Sequence, residues 1–141
     1  MNPKDKTSSE EKLSFDAKLA KELNQLMDEG GFIAATISDD KGLVLATKGN
    51  RILTDTISAL SSASLQYKNA VQKEAGLVEI DEVTCVSGNK ARYINRFFEI
   101  NSHLFVLSAI SPPHASYRKI TNQAVISIQR IIKERLSDSI L

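Results

Sequence analysis

The stretch from residue 32 to residue 49, FIAATISDDKGLVLATKG, predicts a β-hairpin. Two apolar runs, 32–37 and 43–46, flank the polar turn DDKG at 39–42, and Asp and Gly tolerate the backbone angles of a tight reversal. The first run has little polar alternation, which is typical of an interior strand whose two faces are both covered. We therefore expect a sheet that lies between helices.

The segment before the hairpin predicts a first helix. Residues 1–7 are polar and lack periodicity, so we expect a loose tail there. Ser8 and Glu11 have the spacing of a capping box, which places the start of the helix near Ser9. Apolar residues then recur every three or four positions until the glycine pair 30–31, which permits a left-handed termination. These apolar residues are Leu13, Ala17, Leu19, Ala20, Leu23, Leu26 and Met27.

A second helix is predicted after the hairpin. Thr54 or Asp55 can cap its first turn, and the pattern runs to about Ala75, where Gly76 closes it. The row that is suited to lying on the sheet comprises Leu53, Ile57, Leu60, Ser64, Tyr67 and Val71. A neighbouring row of small residues comprises Ala59, Ala63 and Ala70, which permits close approach of another helix. We interpret the serines of this helix, at positions 58, 61, 62 and 64, as packing residues.

Two strands follow this helix. Residues 79–87, EIDEVTCVS, place acids among apolar positions, as an edge strand protected from random pairing does. Residues 91–100 alternate, so Tyr93 and Phe97 share one face. The opposite face carries Ile94, Phe98 and Ile100.

A last strand and a third helix complete the pattern. Residues 103–110, HLFVLSAI, are apolar throughout, and Ser111, Pro112 and Pro113 can stop this strand and open the helix. The apolar residues of that helix are Ile120, Ala124, Val125, Ile128, Ile131, Ile132 and Leu136. The sequence thus predicts an α+β fold, a five-stranded and mainly antiparallel sheet between helices, in the order helix-strand-strand-helix-strand-strand-strand-helix.

Length and charge limit the number of domains and the kinds of partner that this protein can have. The 141 residues predict a flexible tail at 1–8 and a single domain at 9–141. With 18 Lys and Arg against 17 Asp and Glu, no global field favours nucleic acid or an anionic membrane. We expect neither a membrane span nor a secretory signal. The single cysteine, Cys85, agrees with a reducing compartment, so we expect a cytoplasmic protein.

The residues that carry chemistry form no recognisable catalytic set. The six glycines fit neither a phosphate-binding loop nor a dinucleotide fingerprint. His103 and His114 have no ligand-spaced Cys or carboxylate beside them, and Asp39 and Asp40 are accounted for by the turn. Cys85 is expected to be a small buried hydrophobe rather than a nucleophile. We therefore expect no enzyme, no cofactor, no metal and no catalytic residue.

The remaining features favour a protein interaction. The strand 79–87 can pair with its own copy across a two-fold axis while the helices 54–75 meet beside it. The predicted dimer interface comprises Ala59, Ser62, Ala63, Gln66, Ala70, Glu82, Val83, Thr84, Cys85 and Val86.

The stretch GGFIAATISDDKGLVLAT resembles the opening hairpin of the Roadblock family of dynein light-chain type, which includes bacterial regulators of small Ras-like GTPases. The similarity continues through the alanine-rich helix, LVEIDEVTCVSGNKARYINRF and HLFVLSAI to the last helix, and covers residues 14–136. Ala34 departs from the glycine that many members carry. The resemblance implies a profilin-like sheet and a homodimer, or a heterodimer with a paralogous Roadblock-like protein. It also implies a non-catalytic regulator or scaffold for a Ras-like GTPase or a motor complex.

A small-molecule sensor is the alternative of a different class. Sheet-and-helix folds of this profilin-like shape can hold a ligand against the sheet. This hypothesis predicts a cavity lined by Tyr93, Phe97 and Phe105, whereas the simpler interpretation is that these aromatic rings fill the core. An enzyme ranks last.

Overall fold

The computed structural model describes the backbone of residues 3–140 and the side chains of residues 15–137. Its elements are α1 (Pro3–Gly30), β1 (Ala34–Asp39), β2 (Val44–Gly49), α2 (Arg51–Ala75), β3 (Glu82–Val86), β4 (Arg92–Ile100), β5 (His103–Ser111) and α3 (Arg118–Ile140). The predicted order of helices and strands is confirmed.

The opening hairpin forms as predicted because Asp39 organises its turn. The Asp39 carboxylate accepts hydrogen bonds from the backbone N–H groups of Lys41, at 2.9 Å, and Leu43, at 2.8 Å. Gly42 has a φ of +86°, a left-handed conformation that glycine adopts without the strain that a side chain brings. The turn therefore accounts for Asp39.

The strand order in the sheet is β2-β1-β5-β4-β3, and every neighbouring pair is antiparallel. β1 lies between β2 and β5, which confirms that the apolar run before the turn is an interior strand. Among the residues described, β3 pairs with β4 alone and lies at one edge of the sheet, as its acidic pattern predicts. β2 forms the opposite edge.

The main core lies between the sheet and the layer formed by α1 and α3. Phe98 and Phe105 are cross-strand partners on this face, and their rings stack with centroids 5.8 Å apart. The buried helical residues of this core are Leu19, Leu23, Leu26, Ala124, Val125, Ile128 and Ile132. Removing these apolar side chains from water is what chiefly holds the layers together. The apolar rows predicted for α1 and α3 thus supply their sheet-facing sides, although Ala17 is exposed and the side chain of Leu13 lies outside the described residues.

The second face of the sheet is lined by smaller and more polar side chains. Ala34, Thr36 and Ser38 of β1 are fully buried beneath α2. The buried residues of α2 are Thr54, Ile57, Ser61 and Ser64. Because these side chains are small, the helix approaches the sheet closely, and the hydroxyl oxygens of Ser38 and Ser61 lie 3.3 Å apart. The interpretation of the serines as packing residues is confirmed for Ser61 and Ser64.

All three helices begin at positions other than those predicted. α1 starts at Pro3 rather than near Ser9, since proline is well suited to a first helical turn. The side chains of Ser8 and Glu11 lie outside the described residues, so the capping box stays a prediction. α3 starts at Arg118 rather than at the proline pair, because Ser111 still pairs with Arg92 in the sheet and a connecting loop follows.

The start of α2 was predicted three or four residues too late. Asn50 is the residue that caps this helix, since its side-chain oxygen accepts from the backbone N–H groups of Ile52, at 3.0 Å, and Leu53, at 3.3 Å. Gly76 ends α2 in a left-handed conformation, as predicted.

Over the residues that the structure describes, none of the helices is both long and apolar enough to cross a membrane.

Candidate interaction site

The inner face of β3 is fixed by a polar cluster around Glu82. The Glu82 carboxylate accepts hydrogen bonds from the hydroxyls of Tyr117, at 2.8 Å, and Thr84, at 2.7 Å. It also forms an ion pair with Arg96, with 3.7 Å between nitrogen and oxygen. Both charged side chains are largely buried, so the pair is shielded from solvent screening. The cluster therefore ties the edge strand to β4 and to the segment before α3.

Arginine side chains from β4 extend this cluster to the loop and to α3. Arg96 donates to the hydroxyl of Thr121 at 3.0 Å, and Arg92 donates to the carbonyl of Ala115 at 3.0 Å. The guanidinium of Arg92 also lies 5.2 Å from the centre of the Tyr117 ring, within the range of a cation–π contact. Burial, followed by the hydrogen bond to Glu82, raises the pKa of Tyr117 above its ordinary value. These two arginines thus have structural partners.

The outer side of β3 has unpaired backbone groups. The N–H of Phe97 donates to the carbonyl of Asp81 and the N–H of Ser87 donates to the carbonyl of Ala91, so the odd-numbered residues of this segment exchange hydrogen bonds with β4. Antiparallel ladders alternate, and the even-numbered residues therefore direct their N–H and C=O groups away from β4. Such an edge is a template for another strand.

Cys85 is exposed, and the expectation that it is buried is wrong. It pairs with Tyr93 across the ladder, so its side chain lies on the face of the sheet that carries α2. α2 packs mainly on β1, β2 and β5, and the β3 end of this face receives less cover. A position at an edge strand thus exposes a residue type that is usually buried.

The predicted interface residues occupy two separate surfaces. The α2 residues Ala59, Ser62, Ala63, Gln66 and Ala70 are all exposed. In β3, Glu82, Val83 and Thr84 are half-buried, whereas Cys85 and Val86 are exposed. The hydroxyl of Ser62 lies 3.9 Å from the position that a Cβ on Gly42 would take, so Ser62 faces the β1–β2 turn, and the alanines lie on the side of α2 away from the sheet. The structure therefore does not bring the two predicted sets together.

The side of α2 that is directed toward the edge strand carries two large residues, Leu60 and Tyr67. With 3.6 residues per turn, Leu60 lies nearly opposite Ser62 around the helix axis. On the same side, the carbonyl of Ile57 accepts a long hydrogen bond from Tyr93 of β4 at 3.4 Å, and Lys68 lies over the ring of Phe97. Leu60 and Tyr67 are 45% and 61% exposed, so the prediction that they lie on the sheet is wrong.

Sequence reasoning missed Leu60 and Tyr67 as interface candidates because apolar periodicity assigned them to the core. The buried residues of α2 are Thr54, Ile57, Ser61 and Ser64, so Ile57 and Ser64 lie on the sheet as predicted, whereas Thr54 and Ser61 take the places expected for Leu60 and Tyr67. The small hydroxyl side chains of this row match a strand face of Ala, Thr and Ser. That match is the signal that distinguishes the two rows. We call Leu60, Tyr67 and the free edge of β3 the edge surface.

The cavity predicted for a small-molecule sensor does not form. Phe105 lies in the core beneath α1 and α3, whereas Tyr93 and Phe97 lie on the opposite face of the sheet, so the three rings cannot line one cavity. A different cavity of about 390 Å³ lies beside Phe97. It is lined by Lys68, Gln72, Glu79, Ile80, Asp81, Phe97, Phe98, Glu99 and Leu104. Its rim is largely charged and broadly open to solvent.

Among the residues that the structure describes, no three His, Cys, Asp or Glu side chains lie together as metal ligands would. The Glu82 carboxylate, which has two hydrogen-bond donors and one ion-pair partner, is engaged in structural contacts. The edge surface is therefore the candidate functional site.

The sequence matches no protein-family model, and no curated protein matches it significantly. Solved structures share its fold. The gliding protein MglB from Thermus thermophilus is 20% identical over 85% of this chain and 92% of that chain, with a TM-score of 0.71. MglB from Myxococcus xanthus is 14% identical over 84% of this chain and 90% of that chain, with a TM-score of 0.72.

A Roadblock/LC7 domain from Streptomyces avermitilis is 11% identical over 74% of this chain and 86% of that chain, with a TM-score of 0.61. At these identities the likeness concerns the fold, and at that level it confirms the resemblance found in the sequence. The order of elements, the antiparallel five-stranded sheet and the helical layers on both faces agree with it. The chain thus has the Roadblock/LC7 fold of the MglB structures.

Proposed function

We propose that the protein is a homodimeric, non-catalytic regulator that docks a small Ras-like GTPase. The observation that carries this proposal is the edge surface, which combines an unpaired strand edge with exposed Leu60 and Tyr67 on the side of α2 directed toward that edge. Unpaired strand edges and exposed large apolar side chains both favour association with another chain. The MglB fold and the sequence resemblance to GTPase regulators support the choice of partner.

In this dimer the two copies of β3 pair and join the sheets, and the two copies of α2 meet through Leu60 and Tyr67. A tyrosine at such a contact contributes a large apolar area at a low cost in side-chain entropy. The row of Ala59, Ala63 and Ala70 lies on the opposite side of α2 from the buried residues, so it points outward in both copies. The paired helices then present one continuous surface of small side chains.

That outward surface is the docking face in our proposal. Small residues on a helix allow another protein to approach its backbone closely. A surface that binds one nucleotide-dependent conformation of a GTPase better than the other shifts the population toward it by the difference in affinity. Regulation in this form requires no catalytic group on the regulator.

The dimer contact and the docking face can be tested separately with three variants, each of which adds one negative charge. Leu60→Asp places a charge in the dimer contact, and sedimentation should show the mass of a single chain where the wild type shows twice 15.5 kDa. Ile126→Asp changes another exposed apolar residue, on α3, and should leave the dimer intact. A wild type that remains a single chain at high concentration would overturn the dimer.

Docking is tested with the Ras-like GTPases of the source cell, each loaded with GDP or with a GTP analogue. We expect one of them to bind the dimer with an affinity that depends on the nucleotide. Ala63→Glu should abolish this binding while sedimentation still shows a dimer. Loss of the dimer in Ala63→Glu, or binding that is indifferent to the nucleotide, would contradict the assignment of the outward face.

A further inference from the structure

The two ends of β3 carry opposite charges. Glu79 and Asp81 precede the strand, and Lys90 follows it in the turn to β4. All three side chains are exposed, and within the described part of the chain none of them forms an ion pair. Acidic charge at one end of a free edge and basic charge at the other are therefore both available to a partner.

The turn that carries Lys90 is held in place by its own hydrogen bonds. The N–H of Lys90 donates to the carbonyl of Ser87 at 2.9 Å, and the N–H of Ser87 donates to the carbonyl of Ala91 at 2.8 Å. The side-chain oxygen of Asn89 accepts from the N–H of Ala91 at 3.0 Å. Lys90 itself has a φ of +74°. These bonds fix the backbone of the turn from which the Lys90 side chain projects.

The free backbone groups of β3 favour one register. The groups that point away from β4 belong to Glu82, Thr84 and Val86, since their odd-numbered neighbours bond to β4. An antiparallel pairing of two copies uses all three residues only when Thr84 lies opposite its own copy. Glu82 then lies opposite Val86 of the second copy, and shifting the strand by two residues loses part of this ladder.

We propose that β3 is self-complementary: two copies pair antiparallel with Thr84 on the two-fold axis, and Glu79 and Asp81 of each copy meet Lys90 of the other. This inference rests on the dimer of the proposed function and adds its register and its choice of partner. In this register Asp81 comes opposite Ser87 of the second copy, the residue at which the turn that carries Lys90 begins. Each dimer contains two such acid–base junctions.

The charge pattern explains why the partner is a second copy of this chain. The acidic residues and Lys90 belong to the same chain and flank opposite ends of β3. A two-fold axis therefore brings the acids of each copy to the lysine of the other. A parallel pairing would oppose acid to acid and base to base, and like charges disfavour that alternative. Glu79 and Asp81, which were expected to protect the edge strand from random pairing, thus also favour the antiparallel pairing.

A charge swap tests the junction directly. In Glu79→Lys/Asp81→Lys both junctions become basic, and in Lys90→Glu both become acidic, so each variant alone should dimerise roughly tenfold more weakly than the wild type. A mixture of the two variants restores opposite charges at both junctions. Native mass spectrometry, in which the two chains differ in mass, should show the mixed dimer in excess over either homodimer.

Lys48→Glu, on the opposite edge strand β2, is the matched control and should dimerise as the wild type does. The preference for the mixed dimer should also fade with rising salt, because exposed charges are screened. A wild-type dimer that is unaffected by either charge variant overturns this inference and leaves the proposed function standing. A wild type that does not dimerise overturns both.

Disulfide trapping tests the register. In a Cys85→Ala background, Thr84→Cys should form a cross-linked dimer on mild oxidation, since paired residues on the axis lie within the Cα separation that a disulfide spans. Native Cys85 and Val86→Cys lie away from their own copies and should cross-link far less. Cross-linking that peaks at position 85 or 86 in a protein that dimerises would show that the register is wrong.

Discussion

At the scale of single residues, Glu82 determines how the edge strand sits. Its carboxylate binds Tyr117, Thr84 and Arg96 on the side of the sheet that faces α3. Hydrogen bonds to a carboxylate are stronger than neutral ones, and removing one partner of a buried pair leaves an unsatisfied charge. The inner face of β3 is thereby anchored, while its backbone on the outer side stays free for pairing.

Tyr117→Phe should lower the free energy of unfolding by about 1–2 kcal/mol at pH 7, because Glu82 loses one donor. The pKa of Tyr117 is raised above 10.0, chiefly by burial, so the folded protein binds this proton more tightly than the unfolded chain does. The stabilisation is complete below the ordinary tyrosine value and is lost as the pH rises through the raised pKa.

Urea unfolding of both proteins at pH 7 and pH 11 measures this effect. The difference between the wild type and Tyr117→Phe should shrink at the higher pH, because the tyrosine loses its proton more readily in the unfolded wild-type chain than in the folded protein. An equal difference at both values would show that the hydroxyl makes no contribution through Glu82.

At the scale of elements, α2 serves two surfaces at once. Its polar row of Thr54, Ser61 and Ser64 lies on the sheet, and Ile57 is the one large apolar residue among its buried side chains. Leu60 and Tyr67, in the adjacent row, are left exposed. A helix that placed its largest side chains on the sheet would stand farther from β1 and would not leave these residues free.

Ile57→Ala and Leu60→Ala remove similar apolar groups from neighbouring positions of this helix. Ile57 is 2% exposed, so its truncation should cost about 2–5 kcal/mol in the free energy of unfolding. Leu60→Ala should change the stability of the single chain by less than about 0.5 kcal/mol, since the side chain is largely solvated.

Urea unfolding at a protein concentration below the dissociation constant of the dimer measures the stability of the single chain, which Ile57→Ala should lower more than Leu60→Ala. Sedimentation measures the affinity of the dimer, which Leu60→Ala should lower more than Ile57→Ala. Equal destabilisation of the single chain by both variants would place Leu60 in the core.

At the scale of the whole molecule, the sheet has one edge suited to self-association. β3 is short and is flanked by acidic residues on one side and Lys90 on the other, and the side of α2 directed toward it carries exposed Leu60 and Tyr67. β2, at the other edge, ends in a lysine and a glycine, and the side of α2 that faces the β1–β2 turn carries Ser62 rather than large apolar residues. The asymmetry between the two edges favours a closed dimer over an open chain of subunits.

Cys85 reports on this assembly without any substitution. Its thiol is exposed in the single chain and lies one residue from the proposed axis. The rate of alkylation by iodoacetamide should therefore fall as the protein concentration rises through the dimerisation constant. Leu60→Asp should react at the same rapid rate at every concentration, and a wild-type rate that is independent of concentration would contradict the proposed contact.

Local pattern was sufficient for most of the architecture. The DDKG turn determines the first hairpin because Asp39 and Gly42 satisfy its geometry within five residues of chain. Apolar periodicity likewise identifies the sheet-facing sides of α1 and α3, and acids within residues 79–87 identify an edge strand. Helix starts were less well predicted: Thr54 and Asp55 are residue types that cap helices, yet Asn50 accepts the hydrogen bonds at the start of α2, which the placed backbone shows.

The sequence by itself determined the element order, the α+β fold and the presence of an edge open to pairing, because each depends on neighbours along the chain. Only the tertiary structure decided that Leu60, Tyr67 and Cys85 are exposed, and that Ser61 and Ser64 are the buried members of the serine set whereas Ser62 is exposed. For Cys85 the reason is its place on an edge strand; for the residues of α2 it is that burial depends on how closely α2 approaches β1. That distance is set by small side chains on two segments that lie far apart in the sequence.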